Sequence, residues 1–247
     1  MRNISFIPLI FALSSGGFAQ AEGGSPHWGY TGHAAPGHWG ELDASYAACA
    51  NGKNQSPINL TNFVEADLPA LGFHYETQST EILNNGHTVQ VTFTPGSTLV
   101  VDGHPFELKQ VHFHTPSENV IDGEPCGLEA HFVHADAEGN LAVVAVMFDE
   151  GTENEVLAKL WAEMPEKAGD KHPLTDKIGG EALMPASRDY YRYAGSLTTP
   201  PCTEGVIWLV LKEELTVSKD QIARFADVMQ HPNNRPVQPT NARVVMQ

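Results

Sequence analysis

The chain has 247 residues, with 30 acidic side chains against 14 basic ones and a formal charge of −16. That length is ample for a self-sufficient core. No cluster of Lys or Arg offers the basic patch that phosphate recognition needs, so nucleic acid is excluded as a partner and the acidic excess reads as a soluble, self-repelling surface.

Met1 to Ala21 reads as a secretory signal peptide: Arg2 is the positive start, Ile4 to Leu13 the apolar segment, and Phe18-Ala19-Gln20-Ala21 a small-residue end with cleavage after Ala19 or Ala21. The expected product is a single domain over residues 22–247, exported to the periplasm or secreted. No later stretch reaches the ~20 apolar residues of a membrane span. Of the three cysteines, Cys49, Cys126 and Cys202, none forms a C-x-x-C pair. This excludes a zinc ribbon or a thioredoxin-like motif. An exported chain can keep one disulfide with one thiol left over, and spacing does not choose the pair.

Ser25 to Gly40 carries His, Trp, Gly and Pro without a helical or strand period. Its aromatics require burial, so the arm is expected to lie across the domain, with His27, His33 and His38 as surface or packing histidines. Glu81 to Asn84 and His87 to Phe93 read as strands around Asn85-Gly86. Val89, Val91 and Phe93 share one face; His87 begins that strand and by position alone is a turn histidine.

Ser97 to Val101 and Phe106 to His114 flank a turn at Asp102-Gly103-His104-Pro105. In the second strand Gln110, His112 and His114 alternate with Val111 and Phe113, which places two imidazoles side by side on one face. An exposed polar face could carry such a pair too. Two rings at that spacing can also converge on one zinc ion, given a third ligand. Gly127 to His134 supplies it: Glu129, His131 and Val133 share a face, and His134 points the other way as a hydrogen-bonded core histidine. Glu129 can orient the His131 ring.

Leu141 to Phe148 is apolar throughout and reads as a central strand buried on both faces. Thr152 to Met164 reads as a helix with Thr152 and Glu155 as its capping box, and Ser218 with Gln221 caps a last helix whose stripe is Ile222, Phe225, Ala226 and Met229. Tyr190 to Ala194 and Val206 to Leu211 are strands separated by a loop whose paired prolines, Pro200 and Pro201, exclude helix. The expected fold is β-rich α+β: one domain around a large, mainly antiparallel twisted sheet with short peripheral helices.

Three histidines with no fourth protein ligand form the pattern of a catalytic rather than a structural zinc, because neutral imidazoles leave the ion its charge and an open position for an acidified water. Around this constellation the chain resembles the α-class carbonic anhydrases, in particular exported bacterial ones. The resemblance runs through His27-Trp28-Gly29-Tyr30, Gln55-Ser56-Pro57-Ile58-Asn59, Asn84-Asn85-Gly86-His87, His112-Phe113-His114, Ser117-Glu118, Glu129 to His134, Gly195 to Cys202 and Arg235-Pro236-Val237-Gln238-Pro239.

The resemblance implies one Zn2+ per chain on His112, His114 and His131, with Gln110 and Glu129 orienting His112 and His131. It implies reversible hydration of CO2 to bicarbonate and a proton by hydroxide on zinc. Thr198 and Glu118 would aim that hydroxide, His87 would pass the proton to buffer, and Tyr30, Asn85 and Gln90 would order the water between. Val133, Val143, Leu197, Ile207 and Trp208 would form the apolar wall for CO2, with Thr199 lining the same cavity. Cys49 and Cys202 match the family's disulfide; Cys126 has no counterpart, and Asn119 stands where some members have histidine. Intact ligands argue against a non-catalytic binding module on the same fold, and ester cleavage is expected as a side activity. A homodimer is compatible with the bacterial members.

Overall fold

The computed structural model describes residues 27–247, so the expected signal peptide lies outside the described residues. Thirteen strands appear among these residues, in chain order. They are β1 (Asn59–Leu60), β2 (Gly72–His74), β3 (Ser79–Asn84), β4 (Val89–Phe93), β5 (Thr98–Val101), β6 (His104–His114) and β7 (Val120–Ile121). After these come β8 (Leu128–Ala135), β9 (Leu141–Glu150), β10 (Lys171–Pro173), β11 (Tyr190–Ser196), β12 (Glu204–Leu211) and β13 (Leu215–Val217). The helices α1 (Trp39–Leu42), α2 (Ala47–Asn51), α3 (Glu155–Ala162) and α4 (Lys219–Met229) are short and peripheral.

Eleven strands form one sheet along the path β10-β3-β4-β6-β8-β9-β12-β11, with β13 added to β9, β5 to β6 and β2 to β5. The sheet is mixed. The antiparallel expectation is corrected at β9, which pairs parallel with both β12 and β13. The reason is topological: the chain leaves β9 through α3 and a long excursion that supplies β10 and β11, and it returns beside β9 in the same direction. Parallel pairs require such a crossover.

Strand alternation divides the molecule into two sides. Val89, Val91, Val111, Phe113, Ala130, Phe132, Val144, Val146 and Phe148 enter the larger core, under α3 and α4. Val143, Ala145, Met147, Val206, Trp208 and Val210 belong to a second cluster on the opposite face. β9 is buried on both faces for this reason, as its unbroken apolar run predicts. Gln110, His112 and His114 share the face of the smaller cluster.

Two local expectations change. α3 is capped by Asn154, whose side chain accepts from the N–H groups of Val156 and Leu157; Thr152 pairs instead with the Thr216 hydroxyl at 2.9 Å. Asn154 stands immediately before the apolar stripe, where a cap satisfies the first free N–H groups. β4 begins at Val89, not His87, because the Asn85 side chain accepts from the N–H groups of His87 and Thr88, both at 2.9 Å, and holds them in a turn. The Ser218 and Gln221 capping box on α4 is present as expected.

The N-terminal arm packs as its aromatics require. Trp39 is fully buried, and its indole N–H donates to the carbonyls of Gly29 and Ala34 at 2.9 and 2.8 Å. Trp28 and Tyr30 meet it edge to face. Cys49 and Cys202, joined in a disulfide, complete this third cluster, and Cys126 is a buried free thiol.

Candidate active site

Register brings the three histidines together. β6 and β8 pair antiparallel with His112 opposite His131 and His114 opposite Glu129, so side chains of one parity from both strands rise on one face. Each ring offers one nitrogen, and these atoms lie within 4.8 Å of one another.

The other nitrogen is hydrogen-bonded in two of the rings and faces a carboxylate in the third. His112 Nδ1 lies 2.9 Å from Gln110 Oε1, and His114 Nδ1 lies 2.7 Å from the Asn233 carbonyl. Both acceptors require a protonated Nδ1, which leaves Nε2 free. His131 is turned the other way: Nε2 stands 2.9 Å from Glu129 Oε1, off the line of a good hydrogen bond, and Nδ1 faces the site. Burial, followed by the charge of the neighbouring rings, holds His112 and His131 well below the ordinary histidine pKa. Burial lowers His114 as well, against the opposing pull of the Asn233 carbonyl and Glu129. Three neutral imidazoles are what a divalent ion needs.

The carboxylates behind the rings are held by backbone. Glu129 is fully buried and accepts from the N–H groups of Glu118 and Asn119 at 2.7 and 2.8 Å and from the Asn119 amide at 2.8 Å. Glu118 accepts at Oε1 from the Arg235 N–H at 2.8 Å. Its Oε2 lies 3.6 Å from His114 Nε2 and 3.9 Å from His131 Nδ1. Burial pushes the Glu118 carboxyl up to about 8, while the Arg235 N–H and the Thr198 hydroxyl pull it back. His114 Nε2 and Glu118 Oε2 are buried without hydrogen-bond partners. Two such orphans facing one point, in a set of three nitrogen donors, fit a zinc ion.

Thr198 is buried and Thr199 half-buried in the loop after β11, where the Thr199 carbonyl accepts from the Cys202 N–H at 2.8 Å. Trp208 meets the His131 ring edge to face at 4.9 Å, and its indole N–H donates to the Ser196 carbonyl. Val133 stands opposite Val143, and both join Leu197 in the cluster around Trp208. Ile207 does not: it packs against the larger core on the other side of the sheet. Residues 206 and 208 share a face, so Val206, not Ile207, stands beside Trp208. The alternation of β12 carries this signal in the sequence itself.

Gln90 lies beside His112 across β4 and β6. Tyr30 is close enough to Glu118 to feel its charge; burial first, then that charge, raises its phenol well above its usual pKa. Asn85 is exposed, and its amide oxygen is committed to the turn. His87 is half-buried and stacks on Trp28 at 3.7 Å and 9°. Three residues escape the sequence reading of roles. Asn233 holds His114 through its carbonyl and ties Thr115, His87 and Phe113 through its side chain. Asn119 bridges Glu129, the Ile58 N–H and the Tyr193 hydroxyl. Arg235 is buried and spans Glu118, Gln55, Ser56 and Cys49.

The profile of eukaryotic-type carbonic anhydrases matches residues 34–247. The chain belongs to the α-class carbonic anhydrase family. Carbonic anhydrases of Klebsiella pneumoniae and Pectobacterium carotovorum are 48% and 46% identical over 90% and 93% of this chain and 91% and 94% of theirs. The α-carbonic anhydrase of Thermovibrio ammonificans, solved with the inhibitor sulfanilamide, superposes with a TM-score of 0.88 at 50% identity, covering 91% of this chain and all of that one. In this member of the family, no helix among the described residues is long and apolar enough to cross a membrane.

Proposed function

We propose that this chain catalyses the reversible hydration of CO2 to bicarbonate and a proton, with one zinc ion held by His112 Nε2, His114 Nε2 and His131 Nδ1. The observation that carries the reading is the convergence of these nitrogens while the remaining nitrogens of His112 and His114 are hydrogen-bonded and that of His131 stands 2.9 Å from Glu129. Zinc, when bound, supplies a Lewis acid that makes water nucleophilic at neutral pH.

The rest falls to the chain. Gln110, the Asn233 carbonyl and Glu129 fix ring orientation. The Glu118 pKa is raised by burial, but a divalent charge on the three histidines would favour its carboxylate form. As a carboxylate it can only accept, so it makes the Thr198 hydroxyl donate to it and leaves the threonine oxygen to accept from the reacting water. Val133, Val143, Leu197, Val206 and Trp208 hold CO2 by apolar contact and keep bulk water away, and Thr199 lines the same cavity. Tyr30, Asn85 and Gln90 order water toward His87, which takes the proton and passes it to buffer. The leader at residues 1–21 sends a single domain, residues 22–247, to the periplasm or medium, where the Cys49–Cys202 bridge persists.

Stopped-flow CO2 hydration with and without a zinc chelator tests the reading. Activity should vanish with chelation and return with zinc. His114→Ala should lose both stoichiometric zinc and activity; a variant as active as the parent would overturn the assignment.

A further inference from the structure

His231 has no part in the reading above, yet it is placed beside it. The chain leaves α4 through Gln230 in the left-handed conformation, φ 66°, and Pro232 follows at once. Asn233 then anchors the segment, its carbonyl on His114 Nδ1 and its amide on the His87 carbonyl at 3.1 Å. One residue thus ties a candidate zinc ligand, the His87 turn and the stretch bearing His231. The His231 ring packs on Tyr30 at 5.8 Å, and Tyr30 lies near enough to Glu118 to feel its charge. On its other side His231 borders an open groove lined by Thr115, Pro116, Ala226, Asp227 and Gln230. The residue therefore touches both the aromatic arm and an open groove.

The tautomer follows from the hydrogen bond. His231 Nδ1 lies 3.0 Å from the Pro232 carbonyl, which can only accept, so Nδ1 carries the proton and Nε2 of the neutral ring is a base. The titratable groups around this part of the arm are His87, His27, 6.4 Å from His87, Tyr30 and, across the groove, Asp227. Burial lowers the His87 pKa first, and charge on His27 and His231 lowers it further. A proton held on either neighbour makes His87 a poorer acceptor.

We infer that His231 is a second proton acceptor for the site, working in parallel with His87. The inference rests on the CO2-hydration reading. A proton leaving the site along water adds to His231 Nε2 and forms the imidazolium; buffer base in the groove then removes it from Nε2, while the Nδ1 proton stays on Nδ1, donated to the Pro232 carbonyl. Because His87 stacks on Trp28, an alternative exit next to Tyr30 carries part of the flux.

The test compares zinc-loaded wild type, His231→Phe, His87→Ala and the double variant, by stopped-flow hydration in weak buffer and by heavy-oxygen exchange between CO2 and water. Phenylalanine keeps the ring on Tyr30 and removes the base. Each single variant should roughly halve the buffer-limited rate, as loss of one of two similar routes does, and the double variant should lose about tenfold or more. The loss should be confined to the buffer-dependent component and should be recovered with added imidazole. If His231→Phe matches its parent in both the wild-type and His87→Ala backgrounds, the inference is wrong. A wild type with no CO2 turnover would instead overturn the hydration reading and this inference with it, and that outcome is visible before any variant is made.

Discussion

Glu118 and His134 are both buried and ionisable, and burial acts on them in opposite directions. For the carboxyl it favours the protonated form, and the Arg235 N–H with the Thr198 hydroxyl oppose it. Glu118→Gln keeps the shape but turns an acceptor into a group that can donate, so Thr198 loses the partner that fixes its hydroxyl. CO2 turnover should fall about 100-fold or more, the cost of losing one preorganised partner at a reacting oxygen, with zinc content by metal analysis unchanged. Equal loss of zinc would place Glu118 in the binding of metal instead. His134 is held neutral, its pKa lowered from 6.5 to about 4 by burial, with the Tyr75 hydroxyl 2.6 Å from Nε2 and the Ala142 carbonyl 3.2 Å from Nδ1. As pH falls from 6.5 toward 4 the unfolded chain takes up this proton before the folded one, so stability present above 6.5 is lost through that window. The full difference is on the order of 3 kcal/mol. His134→Gln can make both hydrogen bonds without titrating. Urea unfolding at pH 7 and pH 4.5 should show a smaller fall for the variant than for the parent, and equal falls would exclude this histidine as a source.

Among the elements, the strands β6, β8 and β9 were legible because alternation is a property of the backbone. His112 and His114 had to share a face, and His131 had to be chosen over His134 on β8. The same rule was available for β12 and excludes Ile207 in favour of Val206, since Trp208 already marked the site face. What could not be read was contact made through main-chain atoms. The carbonyl that orients His114 belongs to Asn233, and a carbonyl is common to every residue, so nothing in the local sequence marked it. The caps of α3 and the start of β4 were missed for a related reason: Asn154 and Asn85 each satisfy two N–H groups, and several polar residues nearby could have done so. The β12 correction gives a clean contrast. Val206→Phe adds bulk on the CO2 side and should reduce kcat/KM about 10-fold or more, whereas Ile207→Ala should cost about 1 to 3 kcal/mol of stability and leave kcat/KM where it was. The opposite ranking, measured by stopped flow and urea unfolding, would restore Ile207 to the wall.

Over the whole molecule, the site is closed by segments far apart in sequence. β6 and β8 supply the nitrogens, the loop after β11 supplies Thr198, and the extended tail supplies Asn233 and Arg235. The Arg235 guanidinium donates to Gln55, Ser56 and the Cys49 carbonyl, and the disulfide joins Cys49 to Cys202, 153 residues away. A bridge closing so long a loop acts chiefly by restricting the unfolded chain, roughly 5 kcal/mol in the chain-entropy account. The Thr198 loop has its own folded-state restraints: Leu197 N–H donates to Thr203, Cys202 N–H to Thr199, and the Gln55 amide to the Cys202 carbonyl. Replacing both cysteines by serine should therefore lower the denaturant midpoint strongly while leaving turnover at 25 °C close to the parent, provided the protein is folded by circular dichroism. Because the two effects are separable, a folded double variant whose turnover collapses would mean that the bridge positions Thr198 directly, and the three backbone and amide bonds around the loop would then be too weak to hold it alone.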